Sequence, residues 1–446
     1  MNKKKVLIYI DSDVYVRNHF TENTFDLKNY EKVIYANENI LKKYILEKYD
    51  EFKGYVKTTE KYQKILKLRK YLVNKKHFNK SKSFKFKYYH NWNKKGIKFK
   101  IRDKIFGFMT FKPIYKSVLF FVDKFIGHNK EMKKILEEEK PDLVMMPFKD
   151  ISLIQEDIIK LCKKKNIKTL SLIDGWDNVS SKTIFLEKTD FIAVWGEQSV
   201  KHAIDIHDYK KEQIFKIGTP RFDFYYFYKH NMDNPIFNFK YVIFTGCYVP
   251  YDEITPLKIL DQYLIDNNIK DIKIIYRPHP FRAPRDCFDY FIEEDFENVL
   301  LDKQIKGYYY FLKNNYVKKY EDAASPSLKY YPRLLKDSLF VISPLTTMII
   351  EAAIMKKRVL TIAYDDKIHY TNPKDVLENY EHFEGIENIK SFEMCYDIKN
   401  LTTKFEEMLN NENAESDFDE DLKYIIERPE KKYSERLEDL IDKIFN

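Results

Sequence analysis

The stretch "LFVISPLTTMIIEAAIMKKRVLTI", residues 339–362, changes character three times. An apolar, β-branched run ends near Pro344, a hydroxyl-rich turn follows, then a helix-like segment, then a second β-branched run. Two short strands without a polar face, joined through a helix, are the unit of a parallel sheet covered on both sides. The same rhythm extends outward. "KYVIFTG", "IKIIY" and "NVLLD" precede it, with the helix-like "ITPLKILDQYLIDN" between the first two. The N-terminal half repeats the pattern with "KVLIYI", "KVIYA", "DLVMM", "IKTLSLI", "FIAVW" and "IFKIG". The class is therefore α/β with parallel sheets. "GTPRFDFYYFYKHNMDNP" (218–235) interrupts the rhythm with two prolines and no clear period. We expect an N-terminal domain over 1–217, a linker over 218–238, a C-terminal domain over 239–415 and terminal helices over 416–446. Two α/β halves joined this way imply a cleft at the carboxyl ends of their sheets, where ligands of such folds bind.

Bulk properties narrow the class. A chain of 446 residues, 44% hydrophobic and 33% charged, suits a globular protein of two to three domains. Cys162, Cys247, Cys287 and Cys395 stand far apart with no CxxC pair. That argues against a zinc cluster or a disulfide scaffold and favours a reducing compartment. "MNKKKVLIYIDSD" reads as a basic lead-in to a first strand rather than a signal peptide. "SVLFFV" is far short of the ~20 residues that span a bilayer, so a cytoplasmic protein is expected. The net charge of +9 is uneven: residues 53–104 hold 19 Lys or Arg against Glu60 and Asp103, a net of +17 that leaves −8 for the rest. Within them "KYQKILKLRKYLVNKKHF" sets Tyr62, Ile65, Leu66, Tyr71 and Leu72 among lysines, an imperfect amphipathic helix. Such a segment suits an anionic membrane surface or a polyanionic substrate. A solvated helical insertion, over about residues 51–130, is the plainer alternative. No nucleic-acid reader motif is present, and nucleic acid is not an expected partner.

A site is expected where "IIYRPHPFRAPRD" (274–286) ends a strand. Pro278 and Pro280 fix two φ angles and restrain their predecessors, which holds His279 extended at the strand terminus. An imidazole between Arg277 and Arg282 suits an anion such as a phosphate. In the 339–362 stretch, Ser343, Thr346 and Thr347 fall at a helix start, where unpaired N–H groups and the positive dipole end attract phosphate. Glu351 lies one turn further in, where a carboxylate can take a ribose diol. The alternatives are a loop histidine, ordinary N-caps and a solvated glutamate.

"RPHP", followed 64 residues after its histidine by "SPLTTMIIEA", resembles the C-terminal half of GT-B glycosyltransferases. The nearest branch holds the CDP-glycerol glycerophosphotransferases and the capsule and lipopolysaccharide transferases with a His-Pro motif. The resemblance implies two Rossmann-like domains facing a central cleft, with the nucleotide donor in the C-terminal one. It also implies that His279 contacts the donor phosphates while Ser343, Thr346, Thr347 and Glu351 hold the nucleotide. "SPLTT" stands where many relatives carry an SD-S-S pattern. "DSDVYVRNHF", "DGWDNVSSK" and "GTPRFD" look like segments of surface-polysaccharide transferases of the same superfamily.

"DSD" (11–13) matches the Asp-x-Asp metal motif of GT-A enzymes. It ends the first strand, in the half expected to hold acceptor, and is taken as coincidence; no metal or cofactor is expected. Inverting transfer needs a base for the acceptor hydroxyl. Asp11, Asp13, Asp174 and Asp177 all follow N-terminal strands. Asp177 is favoured, because Gly175 permits a tight turn and Trp176 can stack a sugar; a turn made by Asp177 and Asn178 is the alternative. Asp13, Arg17, Trp176, Asn178 and Lys182 are the acceptor candidates. The leading expectation is an inverting, metal-independent glycosyltransferase using a CDP-, CMP-, UDP- or GDP-linked donor. Its acceptor would be a surface glycan (capsule, lipopolysaccharide or teichoic-acid-like) or a lipid-linked precursor, with the basic segment at the inner face of the cytoplasmic membrane. A CDP-glycerol-type glycerophosphotransferase, a sugar-nucleotide 2-epimerase, which needs no acceptor, and a non-enzymatic basic peripheral binder are the alternatives.

Overall fold

In the computed structural model, the strand Lys5–Ile10 (β1) is buried from Val6 to Ile10, as expected of a strand covered on both faces. The structure describes residues 3–20, 24–58, 60–83, 97–148, 153–182, 184–185, 187–227, 234–249, 251–279, 291–314, 326–369, 372–411 and 417–446. β1 pairs in parallel with β2 (Glu31–Asn37) and β4 (Leu143–Phe148). Beyond β2 lies β3 (Phe52–Val56). Beyond β4 follow β5 (Lys168–Ile173), β6 (Phe191–Val194) and β7 (Ile214–Lys216). Among the described residues this sheet has seven strands in the order 3-2-1-4-5-6-7, all parallel.

A second parallel sheet repeats the plan. Its strands are β8 (Lys240–Thr245), β9 (Ile272–Arg277), β10 (Val299–Leu301), β11 (Val341–Pro344), β12 (Val359–Ile362) and β13 (Phe392–Cys395), in the order 10-9-8-11-12-13. Both sheets therefore reverse their winding beside the first strand, between β1 and β4 and between β8 and β11. This is the doubly wound, Rossmann-like order, in which the carboxyl ends at the reversal form the ligand crevice.

The chain divides into two compact units, residues 1–221 with 424–446, and residues 222–423. The terminal elements are split between them. The helix Phe418–Leu422 stays with the second unit, while the helix Tyr433–Phe445 returns to the first. There Tyr433, Leu437, Leu440 and Ile441 share a core with Val6, Ile8 and Leu170. The 51–130 region is not wholly insertion, because it opens with β3, paired to β2. Three helices follow, Glu60–Lys76, Ile97–Met109 and Lys112–Ile126. The first of these, read above as the membrane-facing element, buries Leu66, Leu72 and Val73 and is a scaffold for the other two.

Candidate functional site

The carboxyl edge of the second sheet assembles from three neighbouring strands. β9 ends at Arg277; Pro278 is buried, and His279 follows half-buried. The His279 ring meets the edge of Tyr248, in the loop after β8, at 5.8 Å. The Gly246 N–H donates to the Arg277 carbonyl at 2.8 Å, so β8 and β9 stay locked just past their ends. Thr245, the last residue of β8, donates its hydroxyl to Ser343 Oγ in β11 at 2.6 Å. Ser343 lies 3.3 Å from the Thr346 hydroxyl. Thr346 caps the helix Thr347–Ile354, accepting the Met348 N–H at 3.2 Å. Neighbouring strands are about 4.8 Å apart, which puts His279 on the order of 10 Å along the edge from the amino end of this helix. His279, Ser343, Thr346 and Thr347 thus share one edge, at the point of reversed winding.

Glu351 is buried one turn into that helix and accepts the hydroxyl of Tyr225. Tyr225 belongs to the short helix Asp223–Tyr226, inside the stretch expected as linker. Nothing in an aromatic run marks which ring reaches a carboxylate, so the sequence did not disclose it. Two further groups were also missed. Glu253, buried, accepts the Tyr276 hydroxyl at 2.6 Å and the Cys247 N–H at 3.3 Å. A Cβ on Gly246 would fall 2.3 Å from its Oε2, so any larger residue there would have to displace this carboxylate from its partners. After β12, His369 Nδ1 pairs with Asp366 at 2.6 Å, and Asp366 also takes the Asp252 N–H at 2.7 Å. Burial pushes the Asp366 carboxyl up, but the N–H and imidazole of His369 with the N–H groups of Ile368 and Asp252 outweigh it and hold it below its ordinary value.

Arg277 has a different task from the one expected. Buried, it pairs Nη1 with Asp302 at 2.8 Å and also with Gln304, reaches the Tyr331 hydroxyl at 3.2 Å, and lies over the rings of Tyr330 and Tyr331. A phosphate would have to displace a fully buried aspartate to claim it. Arg282 lies outside the described residues.

In the first unit most of the acceptor candidates serve the fold. Asp13 opens the helix Asp13–His19 and accepts the N–H groups of Leu41 and Lys42 at 2.9 and 2.8 Å, tying down the loop after β2. A carboxylate so occupied does not complete an Asp-x-Asp metal site, and among the described residues no cluster of three metal-ligating side chains occurs. Trp176 is 1% exposed, so it is core rather than a platform for a sugar ring. Asn178 is buried and accepts the Gly175 N–H at 2.8 Å. Asp177 receives Lys182 at 2.7 Å, the Ser181 hydroxyl at 3.0 Å and the Asn178 amide at 3.0 Å, with its side chain 27% exposed. Arg17, half-buried, donates to Asn18 at 3.0 Å.

The buried neighbour Asp174 accepts the Asn18 amide at 2.8 Å and lies 3.7 Å from His19 Nε2. Burial pushes its carboxyl up, but His19, Asn18 and Arg221 prevail and hold it below its ordinary value. The His19 ring stacks on Phe25 at 5.4 Å. This pair spans 155 residues of sequence and had no local signature.

No family model and no curated protein sequence matches the chain. Solved structures do. A Listeria monocytogenes protein assigned as a UDP-N-acetylglucosamine 2-epimerase superposes with a TM-score of 0.52 at 12% identity, over 100% of this chain and 97% of that one. The UDP-GlcNAc 2-epimerase of Methanocaldococcus jannaschii, in complex with UDP-GlcNAc and UDP, gives 0.50 at 13% identity, over 98% and 99%. The wall teichoic acid polymerase TagF gives 0.47 at 11%, over 100% and 90%. The fold is therefore the two-domain GT-B type. The glycerophosphotransferase branch is not supported.

Proposed function

We propose that the chain is a GT-B transferase that takes a nucleotide-activated sugar and grips its phosphates at the carboxyl edge of the second sheet. The supporting observation is a run of contacts along one sheet edge: the His279 ring against Tyr248, the Gly246 N–H on the Arg277 carbonyl, and the hydroxyls of Thr245, Ser343 and Thr346 in hydrogen-bond reach one after the other. It runs from the imidazole that follows the buried Pro278 to the amino end of a helix beside the reversal in strand order. The amino end of the helix Thr347–Ile354, with the Thr346 and Thr347 hydroxyls, receives phosphate oxygens. His279 donates to the same anion. These donors do most for the charge that builds on the leaving nucleotide, because they are fixed before it forms. Glu351, braced by Tyr225, takes the ribose diol. Asp177, whose side chain is more open than that of Asp174, is the base we assign to the acceptor hydroxyl.

The 2-epimerase alternative is favoured by a specific observation, the superposition on those enzymes over nearly the whole chain. One experiment separates the readings. Nucleotide sugars are incubated with the protein alone and with glycan acceptor, and the products are followed by NMR. Transfer requires acceptor; an epimer formed from the nucleotide sugar alone establishes the alternative. The base is identified first by a thermal-shift panel of CDP, CMP, UDP and GDP. The preferred nucleotide at about 100 times its Kd adds about 2.7 kcal/mol of stability. His279→Ala should fold normally, lose most of that shift and slow turnover by about 100- to 1,000-fold. A His279→Ala protein with near-normal shift and turnover removes the imidazole from the site.

A further inference from the structure

We infer that the helices Ile97–Met109 and Lys112–Ile126 form an interfacial hairpin that seats the protein on an anionic lipid bilayer, whatever reaction the second unit performs. Of the 19 exposed large apolar side chains among the described residues, eight fall between Ile97 and Phe125, and they include five of the six exposed phenylalanines. On the first helix Ile97, Ile101, Ile105 and Phe108 recur at helical spacing, a single stripe, with Phe108 72% exposed. On the second, Phe120, Phe121 and Phe125 are exposed, Phe125 at 78%.

The opposite sides of both helices are anchored. Phe106 packs on Tyr71 at 4.4 Å, Leu119 joins the small core of Val73, Ile184 and Ile206, and Tyr115 is buried. The apolar stripe is therefore an outward face with a rigid backing, not a frayed segment.

Charge selects what covers it. Lys100, Arg102, Lys104, Lys112, Lys116 and Lys124 are exposed on the same two helices. The two carboxylates there are turned inward: Asp103 pairs with Lys75 at 2.6 Å, and Asp123 with Arg69 at 2.6 Å and Lys160 at 3.1 Å. A second copy of this face would set cation against cation. An anionic bilayer takes both the phenylalanines and the lysines. A free polyanion would leave the apolar stripe in water.

The geometry makes this contact lie on the membrane rather than cross it. Among the described residues no single helix is long and apolar enough to span; the two arms pass that test only together, and they meet at a bend of 95°. Each arm is roughly 20 Å long at 1.5 Å per residue, against a hydrocarbon core of about 30 Å.

The test is co-sedimentation of the full chain with vesicles of phosphatidylcholine alone, or with about one third phosphatidylglycerol. Binding is expected to the mixed vesicles and to weaken with salt. The surface variant F108S/F111S/F125S should keep its circular dichroism spectrum and bind at least about tenfold more weakly. F120W should blue-shift on binding and be quenched by lipids brominated near the headgroup. Undiminished binding by the triple variant, an unquenched F120W, or failure of the wild type to bind mixed vesicles overturns the inference. So does a dimer in light scattering that the triple variant disperses while no vesicle binding is seen, which would mark the face as a contact between copies.

Discussion

His207 satisfies both ring nitrogens only when neutral. Nδ1 accepts the Phe185 N–H at 3.1 Å, Nε2 donates to the Val179 carbonyl at 2.6 Å, and the ring stacks on Phe185 at 3.9 Å. A second proton would set N–H against N–H in a fully buried place, and burial pushes the pKa down to about 3. The folded value lies below the unfolded one. This group's contribution is therefore complete above about pH 6.5 and is lost as pH falls toward 3, at about 1.4 kcal/mol per unit. Urea denaturation of wild type and His207→Gln between pH 7 and 4 checks this. The wild type should show the steeper loss, and equal slopes would refute the assignment. The contrast with His279 shows what a sequence exposes at this scale. Two flanking prolines announce His279, whereas His207 owes its state to a backbone carbonyl and an amide 28 and 22 residues away. Thr346 could be read as a helix cap because capping chemistry is local. Arg277, Trp176 and Asp13 were misread because residue type and strand-end position do not say which distant neighbour consumes a charge or covers a ring.

At the scale of elements, the helix Glu60–Lys76 carries its decisive residue inside its buried face, between Leu66, Leu72 and Val73, where an apolar pattern does not look for a charge. Arg69 is 1% exposed and joins Asp123 at 2.6 Å, Glu187 at 3.2 Å and Glu156. Through it this helix is tied to the helices Lys112–Ile126 and Leu153–Lys165. Burial outweighs Arg69 and lifts the Glu156 carboxyl to about 6, so removing the guanidinium leaves a buried acid with less to hold it ionised. Arg69→Met should cost about 3–5 kcal/mol in chemical denaturation. Adding Glu156→Gln should return part of that, as a double-mutant cycle would measure. A cost under about 1 kcal/mol would mean that the cluster is solvated and ties nothing. The same blindness explains the strands that were not foreseen. β3 lay hidden in the basic region, and β13 is only "FEMC", with a glutamate in its middle. Both are edge strands of their sheets, where apolar patterning is weakest.

For the whole molecule, the alternation of strands and helices was enough to read two parallel sheets, but not where the chain goes last. "YSERLEDLIDKIF" declares a helix with one apolar face and is silent about which sheet receives it. The helix Tyr433–Phe445 closes the first core, although 202 residues of the second unit separate it from that unit's main run. The return path is closely fitted. A Cβ on Gly196 would fall 2.4 Å from the Ile425 carbonyl oxygen, and the Gln198 N–H donates to Tyr424 at 2.9 Å. Arg436 then reaches the Ile217 carbonyl. Tyr433, Leu437, Leu440, Ile441 and Ile444 are all buried. At about 1.5–3 kcal/mol each they contribute on the order of 10 kcal/mol, comparable with the ~5–15 kcal/mol that holds a whole domain folded. A chain stopped after Lys431 should therefore lose the first unit while residues 222–423, which contribute nothing to that core, keep theirs. Limited proteolysis followed by mass spectrometry distinguishes the outcomes. The shortened chain should yield a resistant fragment from the second unit and rapid cleavage throughout 1–221. If residues 1–221 resist protease as they do in the full chain, the last helix is an accessory to a core already complete, and the first unit is closed by its own strands alone.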